Sequence, residues 1–155
     1  MIYYLNIGSN MGDRRDNLYR AVVALSAGVG GCVVSSIVES EPWGFESDNG
    51  FLNLGVSLES DLDPHAMLDR IHDIERRLGS GAHRDDCGGY IDRLVDIDIV
   101  AIDDLVIDLP ELRVPHPHLA GREFFLRPMM QLAPEWRHPV TGLSCHEMLE
   151  ALLEA

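Results

Sequence analysis

The sequence predicts an α+β fold: a ferredoxin-like, split β-α-β core with an antiparallel sheet, helices on one face of the sheet, and additional C-terminal helices. The apolar pattern alternates between strand and helix periods in the order β-α-β-β-α-β, which is the first reason for this prediction. A helical tail after the last strand is the second. The chain has 155 residues, 46% of them hydrophobic, and contains no repeat or linker. We therefore predict one domain spanning residues 1–155.

The first half of the chain reads as strand, helix, strand. Residues 2–7 are apolar and predict a strand that ends at Gly8. A helix is expected from about Asp13, an acceptable N-cap, because residues 18–25 carry the spacing of one buried stripe. Residues 32–40 are β-branched and strand-like.

The middle of the chain predicts a strand and a helix separated by turns. A turn-rich segment runs from 41 to 50, and residues 51–59 then alternate as in a half-buried strand. Asp63 and Pro64 predict the start of a second helix, with Pro at its favoured first position. Residues 79–89 form a polar, glycine-rich loop.

The remaining elements are one strand and two helices. Residues 94–102 predict a buried strand, followed by a turn and by residues 105–107, which we expect to pair back on it. A Pro/His segment follows, with helices expected near 122–132 and 144–153.

Two aspartates, Asp96 and Asp98, lie in the apolar strand 94–102, where aspartate is depleted. Because side chains alternate across a strand, both carboxylates should emerge on one face, with the intervening apolar side chains on the other. A hard divalent cation, Mg²⁺ in the first place, explains such adjacent charges and would be held partly by substrate phosphates. A solvated strand end is the alternative interpretation.

Composition excludes several classes of partner. The net charge is −14, and the twelve basic residues are all arginine, so we expect no nucleic-acid surface. No apolar run approaches the roughly 18 residues of a membrane span, and the N-terminus reads as a strand rather than a signal peptide. The three cysteines form no Cys-x-x-Cys pair, which argues against a disulfide framework or zinc site and favours the cytoplasm.

Four short motifs follow one another along the chain. They are Gly8-Ser9-Asn10-Met11-Gly12-Asp13-Arg14, Glu41-Pro42-Trp43-Gly44-Phe45 leading to Phe51-Leu52-Asn53, Arg93-x-x-Asp96-Ile97-Asp98-Ile99, and Val114-Pro115-His116-Pro117-His118 with Arg122 and Phe124. Each is weak alone, but their order and spacing, from residue 2 to about residue 142, resemble the 6-hydroxymethyl-7,8-dihydropterin pyrophosphokinase family of folate biosynthesis.

The resemblance implies an enzyme that transfers pyrophosphate from its co-substrate ATP to the hydroxymethyl group of the pterin and releases AMP. It implies two Mg²⁺ ions held by Asp96 and Asp98, a phosphate-binding role for Arg84 and Arg93, and a catalytic role for all four residues. Other folate-pathway enzymes are the protein partners that it suggests.

The resemblance also assigns binding residues. ATP would be bound by His72, Glu75, Ile99, His116 and Arg122. The pterin would be bound by Glu41, Pro42, Trp43, Phe51, Asn53 and Phe124. Stacking on a flat heterocycle suits the two phenylalanines, and the amide of Asn53 can both donate to and accept from the pterin edge.

The loop before the aspartate strand departs from the family pattern. Residues 79–90 offer Arg84 and His83 together with two acids, where the family usually carries several basic residues. Fewer positive charges beside a triphosphate would weaken transition-state stabilisation. A paralogue that binds pterin or nucleotide without turnover, and an acidic ferredoxin-like interaction module, are therefore the two alternative functions.

Overall fold

The sheet is organised around β1 (Ile2–Ser9), which lies between two other strands. β1 pairs antiparallel with β4 (Phe51–Glu59) on one side and β5 (Asp96–Ile102) on the other. β2 (Cys32–Val34) and β3 (Val38–Ser40) both pair with β4, so residues 32–40 form two strands rather than one. The structure, a computed structural model, describes residues 1–29, 31–40, 50–79 and 94–155, and within them the strand order is β2-β4-β1-β5.

The first two helices begin where their caps predicted. In α1 (Arg14–Ser26) the Asp13 side chain accepts a hydrogen bond from the Asp16 backbone N–H. In α2 (Pro64–Arg77) Asp63 does the same for Ala66, and Pro64 occupies the first turn. These side chains satisfy backbone donors that the helix itself leaves unpaired.

The helices lie on both faces of the sheet, so the prediction of a single helical face is wrong for the tail. Leu5 and Ile7 of β1 belong to a core shared with α1 and α2. Tyr4, on the opposite face, packs in a second core with α3 (Glu123–Leu132) and α4 (Cys145–Glu154). The α+β, ferredoxin-like class itself is confirmed.

Strand β4 is buried on both faces rather than half-buried as predicted. Asn53 and Gly55, on the face expected to meet solvent, are buried. Helix α3 explains the difference, because a Cβ on Gly55 would lie 2.6 Å from Pro128 Cβ and 2.9 Å from Leu132 Cδ1. The helix therefore rests directly on the backbone of β4.

A small hairpin follows β5. β6 (Ile107–Leu109) pairs with β7 (Leu112–Val114), with Ile107 opposite Val114. The expectation that residues 105–107 pair back on the preceding strand is therefore wrong. None of the helices in the described residues has the length and hydropathy needed to cross a membrane.

Candidate active site

Asp96 and Asp98 lie at the start of β5 and point to one face of the sheet. Asp96 is opposite Gly8 of β1, and Asp98 is opposite Asn6. Both aspartates are partly exposed, whereas the intervening Ile97 is 6% exposed and packs in the core beneath α1 and α2. The alternation of the strand thus presents two carboxylates on the face that carries α3.

The same face carries Asn53 and Phe51 beyond Gly8. Gly8 pairs with Asp96 on one side and with Asn53 on the other, so these three residues form one row across three strands. A Cβ on Gly8 would lie 3.0 Å from Asn53 Oδ1 and 3.2 Å from Phe51 Cδ1. Glycine is needed here because the amide and the aromatic ring lie directly over the backbone.

The amide of Asn53 is held by its neighbouring strand. Its Nδ2 donates to Ser40 Oγ at 2.7 Å and contacts the Val38 carbonyl at 3.4 Å. Asn53 is only 2% exposed, so this orientation is set within the sheet. The Oδ1 atom is consequently directed over Gly8, where it can accept a hydrogen bond from the edge of a heterocycle.

Phe124 and Arg122 reach the site from the start of α3. Asn6 Nδ2 donates to the Phe124 carbonyl at 2.7 Å, which ties the first turn of α3 to the strand residue opposite Asp98. The Arg122 guanidinium carbon lies 5.6 Å from the Phe124 ring centroid and 5.0 Å from that of Phe125. Burial lowers the pKa of Arg122, and the nearby Asp98 and Asp96 oppose that shift. Guanidinium keeps its charge under such conditions and can bind phosphate oxygens in pairs.

His116 lies beside Asp98. Its backbone N–H donates to the Val100 carbonyl at 2.8 Å, and its Nε2 is 4.0 Å from Asp98 Oδ1. The His118 N–H donates to His116 Nδ1, so the ring proton of the neutral form is on Nε2, facing the aspartate. Burial lowers the pKa of His116 to about 4, aided by Arg122 and His118, and the imidazole is therefore a neutral donor at pH 7.

The remaining nucleotide-site predictions lie on α2 and β5. Glu75, in the last turn of α2, accepts a hydrogen bond from the Ile97 backbone N–H at 2.9 Å. His72 is exposed one turn earlier on the same helix. The Ile99 side chain is buried in the core, so a ligand could reach this residue only through its backbone.

The structure thus brings together a large part of the predicted site. Six of its residues cluster around the start of β5 and α3: Phe51, Asn53, Asp96, Asp98, His116 and Arg122. Phe124 joins them through Asn6, whereas Glu75 contacts β5 from the last turn of α2 and His72 is an exposed residue of the same helix. Five predicted residues lie outside the described residues: Glu41, Pro42, Trp43, Arg84 and Arg93.

Three supporting residues were not predicted to have site roles. Asn6 holds α3, Gly8 leaves space for Phe51 and Asn53, and Ser40 orients the Asn53 amide. A polar residue within the apolar strand 2–7 was a signal for Asn6. Nothing in the sequence pointed to Ser40, because its partner lies on another strand.

The donor set at Asp96 and Asp98 suits Mg²⁺. Within the described residues no group of three or more His, Cys, Asp or Glu side chains could hold a metal ion by itself. Two carboxylates are the sparse, oxygen-only set from which Mg²⁺ is normally bound together with water and substrate phosphates. The residues present therefore fit a metal that binds with the nucleotide rather than in a closed protein cage.

Paired carboxylates, a neutral imidazole and an arginine next to aromatic rings suit a phosphotransferase that uses a nucleotide. The family model described as 7,8-dihydro-6-hydroxymethylpterin-pyrophosphokinase (HPPK) matches residues 4–134, and the chain belongs to this family. It is a transferase that moves pyrophosphate from ATP to hydroxymethyldihydropterin in folate synthesis.

Curated relatives support this assignment over most of the chain. A 2-amino-4-hydroxy-6-hydroxymethyldihydropteridine pyrophosphokinase from Porphyromonas gingivalis is 42% identical over 140 residues, covering 89% of this chain and 94% of the relative. The Aquifex aeolicus protein of the same name is 35% identical over 137 residues, covering 88% and 83%. Among solved structures, Plasmodium falciparum HPPK-DHPS with pteroate matches with a TM-score of 0.75 at 16% identity, covering 99% of this chain and 42% of that one. The structural match shows the fold.

Proposed function

We propose that Asp96 and Asp98 hold two Mg²⁺ ions together with the ATP triphosphate, and that the reaction releases AMP. When bound, Mg²⁺ neutralises phosphate charge and polarises the attacking hydroxyl group. The same-face placement of the two carboxylates and their partial exposure support this role.

The transfer proceeds by attack at the β-phosphorus. The hydroxymethyl oxygen of the pterin forms a bond to this phosphorus and releases its proton to water, while the bond to the oxygen bridging the α- and β-phosphates breaks and AMP leaves with that oxygen. His116 and Arg122 donate hydrogen bonds to phosphate oxygens, and Arg84 and Arg93 add positive charge. Their main contribution is to align the triphosphate and balance its charge.

The pterin lies between Phe51 and Phe124, over Gly8. The two rings stack against the heterocycle, and Asn53 Oδ1 accepts a hydrogen bond from its edge. Glu41, Pro42 and Trp43 complete this subsite, largely through backbone groups. Support comes from the ring and amide that cover Gly8 and from the Asn6 contact that fixes Phe124.

The adenine lies against the outer edge of β5. Ile97 directs its N–H to this edge, and Ile99, two residues further on, directs its backbone groups the same way. Glu75 and His116 bond to the strand on either side of Ile99. His72, on α2, completes this adenine subsite.

One observation carries the proposal: Asp96, Gly8 and Asn53 share a row of the sheet. Neighbouring strands are about 4.8 Å apart, so the metal-binding carboxylate and the pterin-binding amide are roughly 10 Å apart across β1. That spacing suits a pterin whose hydroxymethyl group points towards the triphosphate.

At the level of the cell, we propose a single pyrophosphokinase domain over residues 1–155, acting in the cytoplasm alongside other folate-pathway enzymes. A Dictyostelium discoideum relative named folic acid synthesis protein FOL1 is 31% identical over 150 residues, which are 22% of its length. A longer relative with this name supports a partnership with further enzymes of the pathway.

Replacement of Asp96 or Asp98 by Asn tests the metal assignment. We expect either variant to lose AMP formation by about a hundredfold or more, because each removes a charge that holds the metal–triphosphate complex. Asp104→Asn is the matched control, since Asp104 is an exposed residue of the turn that follows the same strand. Full activity in a folded Asp96→Asn or Asp98→Asn protein would contradict the assignment.

A further inference from the structure

We propose that Glu75 is a positioning residue for the Asp96/Asp98 pair and acts through the backbone of Ile97. The proposal rests on the proposed function of that pair as the metal site. In this role Glu75 fixes the strand that carries the metal ligands.

The contact joins the end of α2 to the strand position between the two aspartates. The Ile97 N–H donates to Glu75 Oε2 at 2.9 Å. Among the described residues β5 is an edge strand, with β1 on its inner side. The Ile97 amide is directed away from β1, and Glu75 supplies an acceptor for it at the outer edge.

The position of Glu75 within its helix indicates that this glutamate serves the contact with Ile97 and not the stability of the helix. Glu75 stands in the last turn of α2, where the carbonyl ends of the helix make the field negative and favour cations such as Arg76 and Arg77. A carboxylate here opposes local helix preference. Residues that break a local rule are expected where function requires them.

A second contact between the end of α2 and the start of β5 supports the same interpretation. A Cβ on Gly79 would lie 3.1 Å from Leu94 Cδ1, and one on Gly12 would lie 3.6 Å from Leu94 Cδ2. The half-buried Leu94 therefore lies between the loop after β1 and the end of α2. Together with Glu75, this holds β5 on both sides of Asp96.

The need for such a restraint follows from electrostatics. Asp96 and Asp98 are like charges on one face of a strand, and their repulsion favours a distorted backbone when no cation is bound. A metal site must be held to within about 0.5 Å of its working geometry, which requires support from residues behind the ligands. A side-chain acceptor on the amide between the two ligands provides that support.

Three variants separate the hydrogen bond from the charge. Glu75→Asp keeps the charge but is too short for the Ile97 contact, Glu75→Gln keeps an acceptor without the charge, and Glu75→Ala removes both. Asp73→Ala is the matched control, because Asp73 is an exposed acid on the same helix that pairs only with nearby arginines in the described residues.

Each protein is measured in three ways: amide hydrogen exchange of Ile97 without metal, Mn²⁺ binding in the presence of a non-hydrolysable ATP analogue, and AMP formation. For Glu75→Asp and Glu75→Ala we expect the Ile97 amide to lose its protection from hydrogen exchange. We also expect the affinity for Mn²⁺ to fall about tenfold or more, as it does when other residues that support metal ligands are replaced. Glu75→Gln should keep Ile97 protection and Mn²⁺ affinity close to those of the wild type, and Asp73→Ala should match the wild type in all three measurements. If Glu75→Ala does not fold, the charge-conserving Asp variant provides the test.

The outcomes are distinct. Wild-type Mn²⁺ affinity in folded Glu75→Asp, or equal losses in the Asp and Gln variants, would overturn the positioning role even if the wild type makes AMP. A wild type that makes no AMP but shows the expected Mn²⁺ pattern would instead refute the proposed reaction and leave the role of Glu75 supported.

Discussion

Gly8 shows how strongly the site depends on single residues. Its backbone lies beneath both the Phe51 ring and the Asn53 amide, and a side chain at this position would force both to shift. The absence of a Cβ at the end of β1 therefore shapes the proposed pterin subsite.

We predict that Gly8→Ala raises the KM for the pterin about tenfold or more, because Phe51 and Asn53 must shift by a few tenths of an ångström and small misplacements are costly in a preorganised site. The KM for ATP should change much less, which serves as the internal control in steady-state kinetics. Equal changes in the two constants would show that Gly8 acts on the whole sheet rather than on the pterin subsite.

At this scale the sequence was informative where the signal was local. Alternation within one strand was enough to place Asp96 and Asp98 on one face. The hydrogen bonds of Glu75 with Ile97 and of Ser40 with Asn53 could not be predicted in this way, because each partner lies on a strand that is remote in sequence. Periodicity shows which way a side chain points but not what it meets.

Among the elements, α3 has the largest influence on the site. Its first turn carries Phe124, Arg122 is the residue before that turn, and its later residues rest on Gly55 of β4. The sequence predicted the helix but not its face, because small and polar residues at 53, 55 and 57 of β4 resemble a solvent-facing pattern. Gly55 is small because α3 lies directly over it.

Gly55→Ala is expected to lower the free energy of unfolding by about 1–3 kcal/mol, since the new methyl group would overlap Pro128 and Leu132. It should also lower activity by displacing α3. Urea unfolding measures the first effect. Gly31→Ala is the control, because a Cβ there meets nothing within 4 Å, and its change should stay within about 0.5 kcal/mol. A Gly55→Ala protein as stable as the control would contradict the close packing of α3.

For the whole molecule, a strongly negative net charge would be expected to repel an anionic substrate such as ATP. The local placement of a few side chains offsets this repulsion. The net charge is −14, yet Arg122 and the neutral His116 stand next to the two aspartates on one face. Overall charge argued against nucleic-acid binding as a function class but carried no information on the proposed triphosphate site. Four motifs in order led to the family, and the family model and relatives confirm it.

The most direct test of the central claim is ³¹P NMR of the purified protein with ATP, Mg²⁺ and 6-hydroxymethyl-7,8-dihydropterin. Transfer of the β- and γ-phosphates as one unit predicts AMP and pterin diphosphate in equal amounts, with no product when Mg²⁺ is removed by a chelator. Formation of ADP with a pterin monophosphate, or equal turnover without Mg²⁺, would contradict the account.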